Sequence, residues 1–304
     1  MSRLAVIFAL LLFPSMLFSQ KYIERGYSTI LSRDARLFVE TLASDSLQGR
    51  DAGEEGGRKA ADYIVSLLKQ WGIKPSGKDG YLQPFTVDSC AMNNILAVIP
   101  GKSKEFVVVG AHYDHVGIGV AIDGDSCYNG ADDNASGVSA VLQIARAVKA
   151  TGKKPERGII FAFWDGEEMG LLGSRHFVEN CSFLSDVSAY MNFDMIGRGP
   201  VDNPKHLTYF YTASHPIFGD WLKEDMAVRP FSFVPDYRAW ENPTGGSDNA
   251  YFAKNGIPIV WYHTEGHPDY HLPSDTADKI DYEKMTDITR AAFLCVMRLA
   301  NERY

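Results

Sequence analysis

The side chains best suited to chemistry in this 304-residue chain stand directly after its apolar runs. Phe106 to Val109 leads into Gly110-Ala111-His112-Tyr113-Asp114-His115, and Ile159 to Trp164 into Asp165-Gly166-Glu167-Glu168. Ala189 to Phe193 is followed at once by Asp194, and Ile257 to Tyr262 by a segment ending Tyr270-His271-Leu272-Pro273-Ser274-Asp275-Thr276. A further cluster, Gly130-Ala131-Asp132-Asp133-Asn134-Ala135-Ser136-Gly137, stands at the mouth of a helical pattern. Singly, each has an ordinary reading. Asp-Asp-Asn caps a helix and turns the chain, paired glutamates open a solvated helix, and a lone imidazole is a satisfied surface or core group. Asp194 resists that treatment, because an acid buried directly after Tyr190-Met191-Asn192-Phe193 is costly without a cation or a donor. Jointly, imidazoles and carboxylates without thiolates suit zinc or another divalent ion, and more acids than one ion needs suggest two ions sharing a carboxylate.

The elements that must position these groups are readable from periodicity. Helices are predicted at Asp34 to Ala43, Glu55 to Trp71, Ser136 to Lys149 and Tyr282 to Arg303, the last with the stripe Met285, Ile288, Ala292, Cys295 and Leu299. Between them lie β-branched and aromatic runs, including Ile95 to Ile99 and Leu207 to Tyr211. Continuous apolar strands alternating with helices predict an α/β fold of three α/β/α layers around a central mixed, mostly parallel sheet. Ligands on such sheets collect beyond the carboxyl ends of the strands, where these acids and histidines fall. The Pro/Gly-rich stretch from Gly197 to Gly246 reads as decorated loops over a site. There is no repeat and no long linker, so one domain over residues 20–304, with a short N-terminal helical extension, is expected.

Residues 1–19 read as a signal peptide: Arg3, the apolar run Leu4 to Leu12, then Pro14, Ser15 and Ser19. The run is too short to span a bilayer. Export to the periplasm or beyond follows, with no stable membrane association after cleavage. Lys and Arg number 30 against 38 Asp and Glu, a formal net charge of −8, which disfavours nucleic acid as a partner. The cysteines Cys90, Cys127, Cys181 and Cys295 are too dispersed for a zinc-thiolate site; disulfides stay open, and Cys295 fits a helix core.

With the five motifs in this order, the chain resembles the zinc-dependent exopeptidases of the M28 family, the co-catalytic aminopeptidases with an α/β/α core. The likeness runs from Leu47-Gln48-Gly49-Arg50 to the last helix and includes Asn192-Phe193-Asp194-Met195-Ile196-Gly197. The resemblance implies two Zn2+ per chain, His112 and Asp194 on one, Glu168 and His271 on the other, and Asp133 between them. Asp132 is then a turn residue. It also implies Glu167 as general base and acid beside a water activated by the two metals, and Tyr270 as a donor to the oxyanion, with Tyr262 and Tyr251 as alternatives. Asp114 is placed to accept the second ring N–H of His112. His263 and His267 fall outside the ligand set, His115, His176, His206 and His215 are read as solvated or locally bonded, and Asp248 is a residue near the site.

The expected function is removal of N-terminal residues from peptide substrates. A carboxypeptidase or dipeptidase of the same family would want an arginine clamp for the terminal carboxylate, for which Arg198, Arg229 and Arg238 are available. Glutaminyl cyclisation, an acyl transfer on a related fold with one zinc, is the rival from another class, and a non-catalytic metal or peptide binder is the third.

Overall fold

Strands buried on both sides set the frame of the molecule, a computed structural model that describes residues 21–304. The expected signal peptide lies outside the described residues. The strands are β1 (Lys74–Pro75), β2 (Leu82–Val87), β3 (Cys90–Ile99), β4 (Phe106–His112), β5 (Ile118–Ile122), β6 (Asp125–Cys127), β7 (Gly158–Trp164), β8 (Val187–Phe193), β9 (His206–Thr212), β10 (Val234–Trp240) and β11 (Ile259–His263). All but β5 and β6, which form a separate antiparallel hairpin, join one sheet of order β1-β3-β7-β4-β8-β11-β9-β10, with β2 also paired to β3.

The parallel part is the central block β7-β4-β8-β11. Four of the eight pairings in this sheet are parallel, three in that block and β9-β10 as the fourth, so the sheet is mixed as expected, with a parallel centre. On its two sides β3 runs against β7 and β9 runs against β11. Alternation within β4 explains why the central strands read as unbroken apolar runs. Val107 and Val109 enter one core, while Val108 enters another on the opposite face with Phe177 and Phe252.

Helices cover both faces. On one lie α1 (Ser32–Leu42), α2 (Glu55–Gln70), α3 (Gly137–Thr151), α5 (Ile217–Val228) and α7 (Tyr282–Asn301); on the other lie α4 (Leu172–Asn180) and α6 (Asn249–Lys254). The four helices expected from sequence end within two residues of their observed bounds, the usual scatter of frayed ends. Within the stretch Gly197 to Gly246, β9 matches the expected run Leu207 to Tyr211, while α5 and β10 stand where loops are expected. Pro235 sits inside β10, which pairs only with β9; a proline is tolerated on such a sheet edge and hides the strand from pattern reading. All four cysteines are free thiols, and Cys295 is buried on α7 as expected.

Candidate active site

The carboxyl ends of the central strands deliver the reactive groups. β4 ends on His112, β7 is followed by Glu167 and Glu168, β8 by Asp194, and β11 by the loop bearing Tyr270 and His271. Asp133 arrives on the helical turn Ala131–Ser136 that leads into α3, and the Asp133–Asn134 peptide is cis. All five residues assigned to metal come together. His112 Nε2 lies 3.4 Å from Asp133 Oδ1 and 3.7 Å from Asp194 Oδ1. His271 Nε2 lies 3.0 Å from Asp133 Oδ2 and 3.1 Å from Glu168 Oε2. Donors at about 2.0–2.1 Å from a tetrahedral zinc are roughly 3.3 Å apart, so both groups have the span of a zinc shell, and each uses its own oxygen of Asp133.

Electrostatics support the same fit. Among the protein groups alone, the carboxylates of Asp133 and Glu168 draw a proton onto His271, raising it to about 10. Burial works against a charge on His112, yet Glu167, Asp114 and Asp194 raise it well above the ordinary imidazole value. Burial pushes Glu168 upward, but hydrogen bonds from His115 and His271 hold it well below the usual carboxylate range. Positive charge is therefore favoured at both places, as divalent ions would supply. Glu167 behaves differently. Burial, opposed by His112 and reinforced by Asp194 and Asp248, pushes its carboxyl up to about 10.

Backbone hydrogen bonds fix these groups. Both oxygens of Asp114 are engaged by the N–H groups of Glu167 (3.1 Å) and Glu168 (3.2 Å). The same carboxylate raises His112, on which the sequence expectation placed it. It stands 3.6 Å from His112 Nδ1, and the Asp114 carbonyl is nearer to the same ring nitrogen, at 3.3 Å. Asp275 accepts the N–H groups of Asp132 and Asp133, and Asn134 accepts those of Gly137 and Met195. Arg50, fully buried, donates to the carbonyls of Leu42, Tyr113, Asn129, Gly130 and Asp133. The sequence marked Arg50 only as part of a motif. Met195 and His271 hold left-handed φ angles of 58° and 54°, a strain of about 1 kcal/mol or more each, and the Met195 N–H is held by Asn134.

Asp132 lies in the helical turn Ala131–Ser136, where it is buried, accepts the Gly197 N–H and faces His267 Nε2 at 3.3 Å. Of the two expectations for His115, solvated or locally bonded, the second describes it. It is 1% exposed, and its Nδ1 meets Glu168 Oε1 at 2.8 Å. His263 Nδ1 donates to the Asp194 carbonyl at 2.6 Å. Tyr270 stacks on His271 and lines the cavity, whereas Tyr262 is buried against Phe193 and Tyr251 lies beside Lys254 on α6. Asp248 is buried behind the site, and burial pushes it up to about 7.

A cavity of about 290 Å³ opens over these groups. His112, Asp133, Glu167 and Asp194 form its polar side, and Met195, Trp261 and Tyr270 its apolar side. The candidate clamp arginines are engaged elsewhere: Arg198 with Asp269, Arg229 with Glu24, and Arg238 with Asp236.

The model of Peptidase family M28 matches residues 94–296. A relative named probable lipoprotein aminopeptidase LpqL, from Mycobacterium tuberculosis, is 35% identical over 256 residues, 72% of this chain and 48% of that protein. The chain spans about half the length of the curated relatives it matches. Among solved structures, the LapA aminopeptidase of Legionella pneumophila superposes with a TM-score of 0.74 at 22% identity, over 94% of this chain and 75% of that one. A glutaminyl cyclase of Porphyromonas gingivalis reaches 0.68 at 19% identity, over 87% and 97%. These two likenesses concern the fold; the family match covers the strands and loops that bring His112, Asp133, Glu168, Asp194 and His271 together, and the chain belongs to peptidase family M28.

Proposed function

We propose that the chain is an exported zinc aminopeptidase that cleaves the N-terminal bond of peptides, with residues 1–19 as a removable leader and residues 20–304 as its catalytic domain. The observation that carries this reading is the meeting of two ligand groups on the two oxygens of Asp133, with the Glu167 carboxyl in the same cavity. Two zinc ions fit: His112, Asp133 and Asp194 would hold one, and His271, Asp133 and Glu168 the other. When bound, they polarise the scissile carbonyl and acidify the attacking water. Glu167 takes the water's proton and returns it to the departing amine. Its carboxyl binds a proton too tightly among protein groups alone, and neighbouring cations lower it toward a value at which it can both accept and release. Tyr270, beside His271 at the cavity, donates its phenol to the oxyanion.

The acidic lining suits a substrate's free ammonium, and the engagement of Arg198, Arg229 and Arg238 removes the groups that a carboxylate clamp would use. A digest of a mixed peptide library, read by mass spectrometry with and without chelator, tests the reading. Stepwise loss from N-termini that stops with chelator is expected. Loss from C-termini, or pyroglutamate formation without cleavage, overturns it.

A further inference from the structure

We propose that His115 is a positioning residue for one of the two metal places: its Nδ1–H holds Glu168 Oε1 and leaves Oε2 as the single oxygen that Glu168 offers to the ion. The inference rests on the two-metal reading above and deepens it.

The two oxygens of Glu168 face different imidazoles. Oε1 lies 2.8 Å from His115 Nδ1, and Oε2 lies 3.1 Å from His271 Nε2. An ion within bonding distance of His271 Nε2 and Asp133 Oδ2 therefore meets Oε2, while binding through both oxygens would require Oε1 to leave His115. His115 Nδ1 stands farther from Asp133 Oδ2, at 3.7 Å, so its hydrogen bond selects Glu168. The other ring nitrogen, Nε2, is buried without a hydrogen-bond partner among the described residues. The carboxylate is thus the one polar group that fixes the tautomer: Nδ1 carries the hydrogen, because only a donor can meet an ionised oxygen at that distance.

The ring is also held mechanically. It meets the His271 ring edge-on, with centroids 5.5 Å apart and planes at 74°, so the metal-facing imidazole packs against the one behind the carboxylate. Its backbone N–H donates to the Arg50 carbonyl. Gly130 stands close against the ring: a Cβ there would come within 2.5 Å of His115 Cδ2. These contacts hold the ring beside Glu168, which is what orienting a ligand requires.

The test is a metal titration of the stripped protein, following each binding step separately, on His115→Phe and His115→Asn. Phenylalanine keeps a ring and removes the donor; asparagine keeps an N–H near the position of Nδ1. The expected result is that His115→Phe weakens one step by roughly ten- to a hundredfold and leaves the other unchanged, and that His115→Asn recovers most of the loss. Unchanged titrations of His115→Phe overturn the proposal. So does equal weakening of both steps, which marks general packing, and so does equal weakening of one step by both variants, which marks His115 as a ligand itself. A wild-type protein that takes a single ion overturns the two-metal reading instead, and the same pair of variants then reports whether that ion depends on the His115 donor.

Discussion

Glu167 and Glu168 are neighbours in the chain and part company in space. Asp114 grips both backbone N–H groups, and from that shared anchor Glu168 turns to His115 and His271 while Glu167 faces the cavity. Glu167→Gln should keep the metal content near wild type while the rate falls by about 10²- to 10⁴-fold, as metal analysis and peptide assays on one preparation will check. Asp114→Asn should be less severe but not mild. An amide offers a single acceptor oxygen, so one of the two N–H groups is left without a partner at a cost of about 1–3 kcal/mol, measurable as a lower urea midpoint. The candidate ligands are legible in the amino-acid sequence because five motifs stand together in the order of the family that the chain resembles, although each motif singly has an ordinary reading. The roles of Asp114 and His115 are not, because each is set by a partner contributed by another strand end, and sequence spacing carries no information about which of two nearby hydrogen-bonding groups wins.

The loop from β11 to α7 is where element and site meet. It carries Tyr270 and His271, and Asp269 pins it through Arg198, Lys279 and Ser274. Burial opposes the charge on Asp269, but those three partners hold its carboxyl well below the ordinary range. The folded-state value is depressed, so the contribution to stability is present above the unfolded value of about 4 and is lost as pH falls through the folded one. Asp269→Asn should therefore flatten the acid limb of a stability profile below that pH and leave the neutral limb shifted down, which urea unfolding across pH 3–7 measures. Another element-scale prediction concerns Gly246, whose φ is 88° and where a Cβ would meet Trp261 Cζ3 at 2.8 Å. Gly246→Ala should crowd the apolar side of the cavity and raise KM more for bulky N-terminal residues than for alanine, as paired substrates will reveal. Elements buried on both faces are readable from their apolar runs; β10 and α5 are not, because one is an edge strand that contains Pro235 and the other buries Phe218, Trp221 and Leu222 within a stretch whose prolines and glycines read as loop.

At the scale of the whole molecule, the acidic excess changes meaning. Asp133, Glu168 and Asp194 would be answered by metal, so ions that bind only the folded chain should stabilise it. At a hundredfold excess over Kd, one site contributes about 2.7 kcal/mol, and chelation should lower Tm and restored zinc should raise it again. Arg50 works at this scale as well, since its five carbonyl partners come from three separate stretches of chain, at Leu42, at Tyr113 and between Asn129 and Asp133. Arg50→Met should reduce stability by roughly 3 kcal/mol or more, read from the urea midpoint, because buried carbonyls lose their donors together. That guanidinium also redraws the working boundary of the protein. The family match begins at residue 94 and spans every proposed ligand, yet the group that closes the backbone beneath Asp133 stands well upstream, packed under α1. A fragment trimmed to the matched segment would keep every proposed ligand and lose this keystone, so it should unfold at a lower urea concentration than the longer chain.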